Sequence, residues 1–422
     1  MKPYPKYKPS DIQWLGDIPE HWEVKKLKYV SNVQPSNVDK KSYEEEVPVS
    51  LCNYVDVYKN EFIDERIFFM QATATESEIE KFRLKIGDVL ITKDSESPKD
   101  IAVPAYVRIE RENLLCGYHL AQITGKNSIL LGSYIFRLFQ SKDFNTNFEI
   151  AANGITRYGL GIDSIKNVAV TIPPIPEQTA IAQFLDQKTA QIDNLIAQKQ
   201  RLITLLKEER IAFINEILSD KSFPLKKLKY VVEGKLEYGA NESAELDDRS
   251  LPRYIRITDF GNNGKLKDET FKSLPFEKAN EYLLKDGDIL FARSGATVGK
   301  TFQFKNYEGI ACFAGYLIKA MPNPKVILSD YLYYFTKSGI YENWKDSIFV
   351  QATIQNIGAD KYNQLEIPVP SLKTQQKIVE SIERTTGKID ATLVKIVQEI
   401  ELLKEYRMAL ISEVVTGKIS VI

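Results

Sequence analysis

The sequence predicts an α+β protein in which two homologous mixed α/β domains are joined by two long helices that form an antiparallel coiled coil. Three observations predict this fold: an internal repeat spaced by about 200 residues, a proline-containing joint in each half, and a heptad-patterned stretch after each joint. The 422 residues are enough for two or three domains. The 43% hydrophobic content can build folded cores, which excludes a wholly disordered chain.

Short segments of the first half recur in the same order in the second half. Residues 24–30 correspond to 225–231, and residues 84–90 correspond to 284–290. The joints and the starts of the long stretches also correspond, at nearly the same spacing. Accidental similarity of lysine-rich strands is the alternative, but several matches in one order favour two homologous domains, each large enough for its own core.

Each half begins with a region of short predicted strands. Runs rich in β-forming residues, at 47–57, 87–92 and 254–257, are punctuated by glycine, asparagine and proline. The Gly-Asp pairs at 87–88 and 287–288 precede apolar runs. We therefore expect these pairs to form turns that lead into a strand.

A proline-containing joint then leads into a long helix in each half. The joints at 172–176 and 367–370 are predicted to be extended, because proline disfavours both helix and central strand. In the stretches at 177–219 and 374–416, apolar residues alternate steps of three and four, which is the coiled-coil pattern. The predicted seams are Ile181, Leu185, Lys188, Ile192, Leu195, Lys199, Leu202 and Leu206 in the first helix, and Ile389, Leu393, Ile396, Ile400, Leu403, Arg407, Leu410 and Val414 in the second.

The two helices are expected to pack on each other, because neither can bury its apolar stripe alone. Leu195, Leu202 and Leu206 should then lie against the 389–410 seam. About 40 residues give roughly 60 Å of helix, so antiparallel pairing would hold the two mixed regions at opposite ends. The alternative is that each helix lies on its own domain as an amphipathic helix.

These features divide the chain into five segments. They are an N-terminal segment at 1–21, a first mixed domain at 22–176, a central long helix at 177–220, a second mixed domain at 221–373 and a C-terminal long helix at 374–422.

Composition excludes several classes of function. The 56 basic and 57 acidic residues give a net charge of −1, so any nucleic-acid surface must be local. Three widely spaced cysteines fit a reducing cytosol and provide no metal-site signature. The N-terminus does not resemble a secretory signal, and no apolar stretch approaches the ~18 residues of a membrane span. We therefore expect a cytoplasmic protein without membrane contact, metal or cofactor.

The most suggestive catalytic motif is the loop from Gly295 to Lys300. A phosphate-binding loop requires Gly-x-x-x-x-Gly-Lys-Ser/Thr followed by a helix, but Ser294 occupies the first glycine position and strand-like runs flank the segment. A glycine-rich β-turn is therefore favoured, and a nucleotide-binding enzyme is the alternative. With only two histidines, catalysis based on several histidines is disfavoured, and His119 is expected to be a core or hydrogen-bonded residue. The sequence thus indicates a non-catalytic protein.

Basic, amide and aromatic side chains cluster in loops at corresponding places of the two halves. Arginine can pair with guanine, and glutamine or asparagine with adenine, while lysine holds phosphates. Each cluster alone is more simply a solvated loop, but their repetition favours DNA binding. The candidate DNA-binding residues are Lys93, Lys99, Thr156, Arg157 and Tyr158 in the first half, and Arg293, Lys300, Gln351, Gln355 and Asn356 in the second.

Several motifs resemble the specificity subunit of type I restriction-modification systems, over essentially the whole chain. Residues 7–24, which include Asp-Ile-Pro-Glu-His-Trp at 17–22, are similar to the opening signature of that family. Residues 287–300 and 87–96 resemble variants of a block in its target-recognition domains, and residues 172–178 resemble the joint before its central helix. The second joint departs from the pattern, because Lys-Thr-Gln at 373–375 replaces the Glu-Gln lead-in.

The resemblance implies a DNA-binding subunit without a catalytic site. Its two target-recognition domains would each recognise one half of a split site in double-stranded DNA. The helices would set the spacing and dock two methyltransferase (modification) subunits, while restriction/translocase subunits would join through the complex. Because the candidate loops differ between the halves, the two half-sites are expected to differ. A pure coiled-coil scaffold would leave the domain-sized recognition modules unexplained.

Overall fold

The computed structural model describes residues 2–261, 264–295, 297–349 and 356–422. The chain divides into two compact units. Unit 1 comprises Met1–Lys199 and Gln398–Ile422, and unit 2 comprises Gln200–Val397. Each unit therefore combines a mixed α/β region with parts of both long helices, whereas the five-segment division proposed from the sequence stays a prediction.

Unit 1 contains short strands and helices before the first long helix. Its strands are β1 Tyr7–Pro9, β2 Asp17–Pro19, β3 Glu23–Lys26, β4 Ser31–Pro35, β5 Val47–Cys52, β6 Phe62–Ile63, β7 Met70–Ala74, β8 Val89–Thr92, β9 Asp94–Ser95, β10 Pro104–Val107, β11 Leu114–Cys116, β12 Leu120–Gly125, β13 Tyr158–Gly159 and β14 Ala169–Ile172. Its helices are α1 Leu27–Val30, α2 Tyr54–Lys59, α3 Glu76–Phe82, α4 Gly132–Gln140, α5 Lys142–Ala151 and α6 Ile162–Asn167.

Two helices of 44 residues each pass through both units: α7 Ile175–Leu218 and α12 Leu372–Val415. Unit 2 has the strands β15 Leu225–Lys227, β16 Glu237–Tyr238, β17 Arg253–Ile255, β18 Ile289–Ala292, β19 Thr301–Gln303, β20 Ala311–Phe313, β21 Leu317–Ala320 and β22 Glu366–Pro368. Its short helices are α8 Phe276–Ala279, α9 Ser329–Phe335, α10 Gly339–Phe349 and α11 Ala359–Tyr362. No helix within these described ranges is long and apolar enough to cross a membrane.

The sheets of the two units share a common strand arrangement, to which unit 1 adds strands. The central sheet has the order β4-β12-β8-β10-β6 in unit 1 and β16-β21-β18-β19 in unit 2, so β6 has no counterpart among the strands described in unit 2. Each unit also has a separate parallel pair, β5 with β11 and β17 with β20. The strand just before the long helix pairs with an early strand of the same unit, β14 with β3 and β22 with β15. The predicted internal repeat is therefore a repeat of folded domains.

The predicted strands and turns are largely confirmed. Gly87 and Gly287 have φ values of 97° and 93°, the left-handed region that glycine adopts most readily. Asp88 and Asp288 each accept a hydrogen bond at 2.8 Å from the backbone N–H three residues earlier, which closes the turn before β8 or β18. The expectation of a single β-rich run at 47–57 is wrong, because α2 follows β5 and Asn53 with Asp56 forms a capping box at its start.

A buried glutamine fixes the start of each long helix. Gln178 Oε1 accepts a hydrogen bond from the N–H of Leu131 at 2.9 Å, and its Nε2 donates to the carbonyls of Ile129 and Pro173 at 2.8 Å. Gln375 makes the same three bonds in unit 2, to Leu328, Val326 and Pro370. These bonds pair backbone groups that burial would otherwise leave unsatisfied.

The heptad seam is confirmed in α12 and needs a correction in α7. Every predicted seam residue of α12 is buried or half-buried. In α7, however, Leu195 and Leu202 are 41% and 42% exposed, and Ile196 and Ile203 are half-buried instead. The prediction that Leu195 and Leu202 lie in the seam is therefore wrong. The step after Ile192 is four residues rather than three, and the next step is three, so Ile196 and Ile203 replace Leu195 and Leu202 while Lys199 and Leu206 keep their predicted places.

The helices pack on each other within each unit. In unit 1 the guanidinium of Arg407 lies 3.0 Å from the carboxylate of Asp193, and Lys199 Nζ lies 2.5 Å from Glu399 Oε2. The pairing of rising residue numbers on α7 with falling numbers on α12 makes the contact antiparallel. In unit 2 Arg210 lies 3.4 Å from Asp390. The helices also contribute to the domain cores, for example Ile181 and Leu185 in unit 1 and Ile378 and Ile382 in unit 2.

The N-terminal segment binds the start of α7. Glu177 is buried and accepts hydrogen bonds from the hydroxyl of Tyr4 at 2.5 Å and the indole N–H of Trp22 at 3.0 Å. His21 Nε2 lies 2.8 Å from its other oxygen. Burial and the Glu177 carboxylate raise the pKa of the Tyr4 hydroxyl. Thr374 precedes the corresponding glutamine in unit 2, and there the backbone N–H of Thr374 is capped by Ser371 Oγ at 3.3 Å.

Candidate nucleic-acid interface

In unit 1 the candidate residues lie where β8 ends and three chain segments meet. The backbone N–H of Lys93 donates to the carbonyl of His119 at 2.8 Å, and the N–H of Leu160 donates to the carbonyl of Lys93 at 2.9 Å. Immediately beyond, Asp94 in β9 pairs with Gly159 in β13. We call this surface, comprising residues 93–94, 118–119 and 153–159, loop site 1.

Unit 2 builds the same backbone frame where β18 ends. The N–H of Arg293 donates to the carbonyl of Tyr316 at 3.0 Å, and the N–H of Ile357 donates to the carbonyl of Arg293 at 2.8 Å. Ser294 forms a β-bridge with Asn356. We call residues 293–294, 315–316 and 356–357 loop site 2. Arg293 therefore occupies the position of Lys93 in the frame, and Tyr316 occupies that of His119.

Loop site 1 contains a chain of charged and polar contacts. Asp94 Oδ2 lies 2.8 Å from Lys93 Nζ and 2.8 Å from His119 Nδ1. Arg157 Nη2 lies over the face of the His119 ring, 2.9 Å from Nε2 and 3.4 Å from Nδ1. Burial opposes ionisation of Asp94, but hydrogen bonds from Lys93 and His119 outweigh it and hold the pKa of this carboxyl below its usual value. Asp94 and His119, which were not candidates, thus connect the two candidate cations Lys93 and Arg157.

The two cations differ in accessibility. The Lys93 ammonium is partly buried and ion-paired with the neighbouring Asp94. Arg157 is exposed, as is Thr156 beside it. Tyr158 is half-buried in β13, and Lys99 is exposed on a short 3₁₀ turn at Pro98–Asp100. Arg157 is therefore the candidate guanidinium in unit 1 that faces solvent.

The segment that carries Arg157 is a tight loop. Asn153 and Gly159 exchange backbone hydrogen bonds of 3.1 and 2.9 Å, which close the loop at its base. Gly154 has a φ of 153°, and a Cβ atom there would clash with the carbonyl oxygen of Arg157. Ile155, which sequence reasoning missed, is 93% exposed at the same loop. The sequence could have indicated this residue, because Ile155 stands between a glycine and polar residues and belongs to no apolar periodicity that would bury it.

In loop site 2 the arginine packs on an aromatic ring. The guanidinium carbon of Arg293 lies 4.8 Å from the ring centroid of Tyr238, within cation–π range. The hydroxyl of Tyr238 accepts a hydrogen bond from the N–H of Ala359 at 3.0 Å, which fixes the ring. Asn356 is exposed, and so is Tyr316 at 65%. Two further candidates, Gln351 and Gln355, lie outside the described residues.

The loop from Gly295 to Lys300 connects two antiparallel strands. β18 pairs with β19, and the N–H of Gly299 donates to the carbonyl of Ala292 at 2.8 Å, as in a hairpin. No helix follows the Gly-Lys-Thr residues, so the N-terminal N–H groups that hold a phosphate are missing from this described segment. Lys300 Nζ instead donates to the carbonyl of Phe260 at 3.3 Å. The alternative of a nucleotide-binding enzyme therefore has no support.

Known proteins similar to this chain belong to one group. A family model for the type I restriction modification DNA specificity domain matches residues 19–205 and again 227–402. The type I restriction enzyme MjaVIII specificity subunit of Methanocaldococcus jannaschii is 21% identical, over 96% of this chain and 94% of its own length. The EcoKI specificity subunit of Escherichia coli is 29% identical, over 42% of this chain and 38% of its own length.

Solved structures share the fold. A chain from a structure of a type I R-M system covers 95% of this chain and 99% of its own length, with a TM-score of 0.75 at 15% identity. The HsdS subunit from Thermoanaerobacter tengcongensis covers 95% of this chain and 98% of its own length, with a TM-score of 0.55 at 15% identity.

Proposed function

The chain belongs to the type I restriction-modification DNA specificity family, and we propose that each of its two units recognises one half of a split site in double-stranded DNA. It is a non-catalytic specificity subunit. The single observation that carries the proposal is the duplicated backbone frame, which presents different exposed side chains in loop sites 1 and 2. One frame with two sets of donors and acceptors suits two unlike half-sites.

In unit 1 we assign base recognition to Arg157. Its guanidinium is exposed at a tight loop, and its planar fork of donors matches the two acceptors on the major-groove edge of guanine. Thr156 and Tyr158 flank it and would contact bases or the DNA backbone. Lys99, exposed on a neighbouring turn, and Lys93, which Asp94 already neutralises, suit phosphate contacts rather than base readout.

In unit 2 we assign base recognition to Arg293, a half-buried residue whose guanidinium packs on the ring of Tyr238. Asn356 would pair with adenine, as would Gln351 and Gln355, which remain candidates from the sequence alone. Lys300 would contact a phosphate. The accessible arginine follows a central strand in unit 2 but lies on a separate loop in unit 1, so the donor pattern of unit 2 differs from that of unit 1.

The long helices would dock two methyltransferase subunits, with restriction/translocase subunits joining through the complex in the cytoplasm. Exposed apolar side chains on both helices support this role, because apolar residues that recur at helical spacing line one face of a helix, and a contiguous exposed apolar face suits a partner surface. These residues are Leu195, Leu202 and Leu205 on α7, and Val394, Val397, Leu402 and Tyr406 on α12.

Mapping of methylated adenines in a host that carries the intact system tests the proposal. We expect a split recognition site whose two halves differ in sequence and are separated by a fixed, unspecified gap of several base pairs. A control host without this specificity subunit should lack that methylation pattern. A single contiguous palindrome would contradict recognition by two different units.

A further inference from the structure

We propose that His119 and Asp94 are positioning residues for DNA recognition by unit 1, because they hold the Arg157 guanidinium in a defined orientation. The inference rests on the proposed function of Arg157. It assigns a specificity-determining role to two residues that need not contact DNA themselves.

The first step is the contact between the arginine and the histidine ring. Arg157 Nη2 lies 2.9 Å from Nε2 and 3.4 Å from Nδ1 of His119, which places this guanidinium nitrogen over the face of the imidazole. On the edge of the same ring, Nδ1 lies 2.8 Å from Asp94 Oδ2. Asp94 therefore holds the imidazole plane against which the Arg157 guanidinium packs.

The second step is the rigidity of the histidine. His119 has a φ of 73°, in the left-handed region that non-glycine residues rarely adopt, and its carbonyl accepts the 2.8 Å bond from the N–H of Lys93. The ring of Tyr118 lies 3.7 Å from the imidazole, centroid to centroid. The imidazole is thus fixed by its backbone, by a neighbouring ring and by Asp94, and it provides a stationary surface for the guanidinium.

The third step is the effect on the arginine. The exposed loop at 153–159 would otherwise leave the long Arg157 side chain free to adopt many rotamers, and ordering it on DNA would cost entropy. The contact with the His119 ring selects one orientation before DNA arrives. Lys93 neutralises Asp94, so the ring is held without an unpaired negative charge close to the phosphates.

Unit 2 orients its arginine through a different contact. The position of His119 is occupied by Tyr316, which is 65% exposed, and the arginine is at the position of Lys93. Arg293 is oriented by the ring of Tyr238, so no histidine is required to hold it. The Asp94–His119 pair is therefore a device of unit 1 alone, and its loss should affect a single half-site.

The test is a double-mutant cycle on the full chain assembled with its modification subunits, using DNA with either half-site substituted. Arg157→Ala is expected to reduce discrimination at the unit 1 half-site about tenfold. His119→Ala should cause a loss of similar size at the same half, and the double variant should lose little more than either single variant. His119→Phe, whose ring offers the guanidinium a face of similar size, should recover most of the discrimination.

Asp94→Asn provides a second variant of nearly the same size in case His119→Ala folds poorly, and it should weaken discrimination at the same half by a few-fold, because a neutral amide orients the histidine less strongly. Tyr316→Ala, at the corresponding position of unit 2, is the matched control and should leave the unit 1 half unchanged. If Arg157→Ala acts but the His119 and Asp94 variants do not, or if their effects are additive, the positioning role is overturned and the proposed function stands. If Arg157→Ala has no effect on either half, both assignments fail.

Discussion

Loop sites 1 and 2 have the same backbone and different chemistry. Each closes around a residue that follows a central strand, Lys93 or Arg293, with equivalent backbone hydrogen bonds on both sides. In loop site 1 this residue is an ion-paired lysine, and the accessible cation is Arg157 on a separate loop. In loop site 2 the arginine itself occupies the frame and packs on Tyr238. The frame depends on backbone groups, so its side chains can differ without disturbing the fold.

The starts of the long helices show the same contrast. Gln178 and Gln375 make identical sets of three bonds, because each satisfies backbone groups of a turn that both units contain. One residue earlier, Glu177 and Thr374 differ. Glu177 is needed only in unit 1, where Tyr4 and His21 of the N-terminal segment and the adjacent Trp22 bind it. The departure of the second joint from the family pattern follows from this difference.

The largest expected effect tests whether the two frames are equivalent. Gln178→Ala and Gln375→Ala should each lower the free energy of unfolding by roughly 4 kcal/mol, because three buried backbone groups lose their partner at about 1–3 kcal/mol each. Chemical denaturation followed by circular dichroism measures the change. Gln198→Ala, on an exposed face of α7, is the control. Losses that differ greatly between the two buried positions would break the equivalence.

A smaller effect tests the corrected seam of α7. Ile192→Ala should destabilise the protein by about 3 kcal/mol, because it leaves a cavity in the core of unit 1. Leu195→Ala, three residues along the same helix, removes a partly exposed side chain and should cost well under half as much. Thermal unfolding of both variants measures the difference. Equal losses would restore the seam predicted from the sequence.

A third experiment sharpens the difference between the helix starts. Glu177→Gln should destabilise unit 1 by about 2 kcal/mol, because a neutral amide is a weaker acceptor for the buried donors of Tyr4 and Trp22. Thr374→Ala, at the corresponding half-buried position, should cost less than about 1 kcal/mol, because its hydroxyl bonds to the exposed Ser371. Limited proteolysis should release the N-terminal segment faster in the Glu177 variant. Unchanged proteolysis would show that Glu177 does not anchor the segment.

The sequence was sufficient for the features that depend on periodicity. The two 44-residue helices begin two residues before their predicted starts, since long proline-free heptad stretches have few alternatives, but the second helix ends at Val415 rather than at residue 422. The register of α7 was not determined, because Leu195 and Ile196, like Leu202 and Ile203, are adjacent apolar residues that fit two seams. Tertiary packing chooses between them.

The candidate site was predictable only in part. Arg157 and Arg293 were found because arginine in a loop is a recognisable signal for DNA binding. The partners that orient them were not, since His119 and Tyr238 are 38 and 55 positions away along the chain and meet the arginines only in the folded units. Lys93 also could not be recognised as an ion-paired side chain, because the pairing with its neighbour Asp94 depends on how the two strands β9 and β13 meet.

The central claim is that one duplicated frame presents two independent sets of recognition groups. It is tested most directly by the affinities of the assembled complex, with wild-type chain, Arg157→Ala or Arg293→Ala, for DNA substituted in one half-site or the other. We expect each arginine variant to lose about 1–3 kcal/mol of discrimination at one half only, and the two variants to affect different halves. Uniform weakening of binding to every DNA by both variants would contradict the claim, because it would make these arginines phosphate contacts rather than recognition groups.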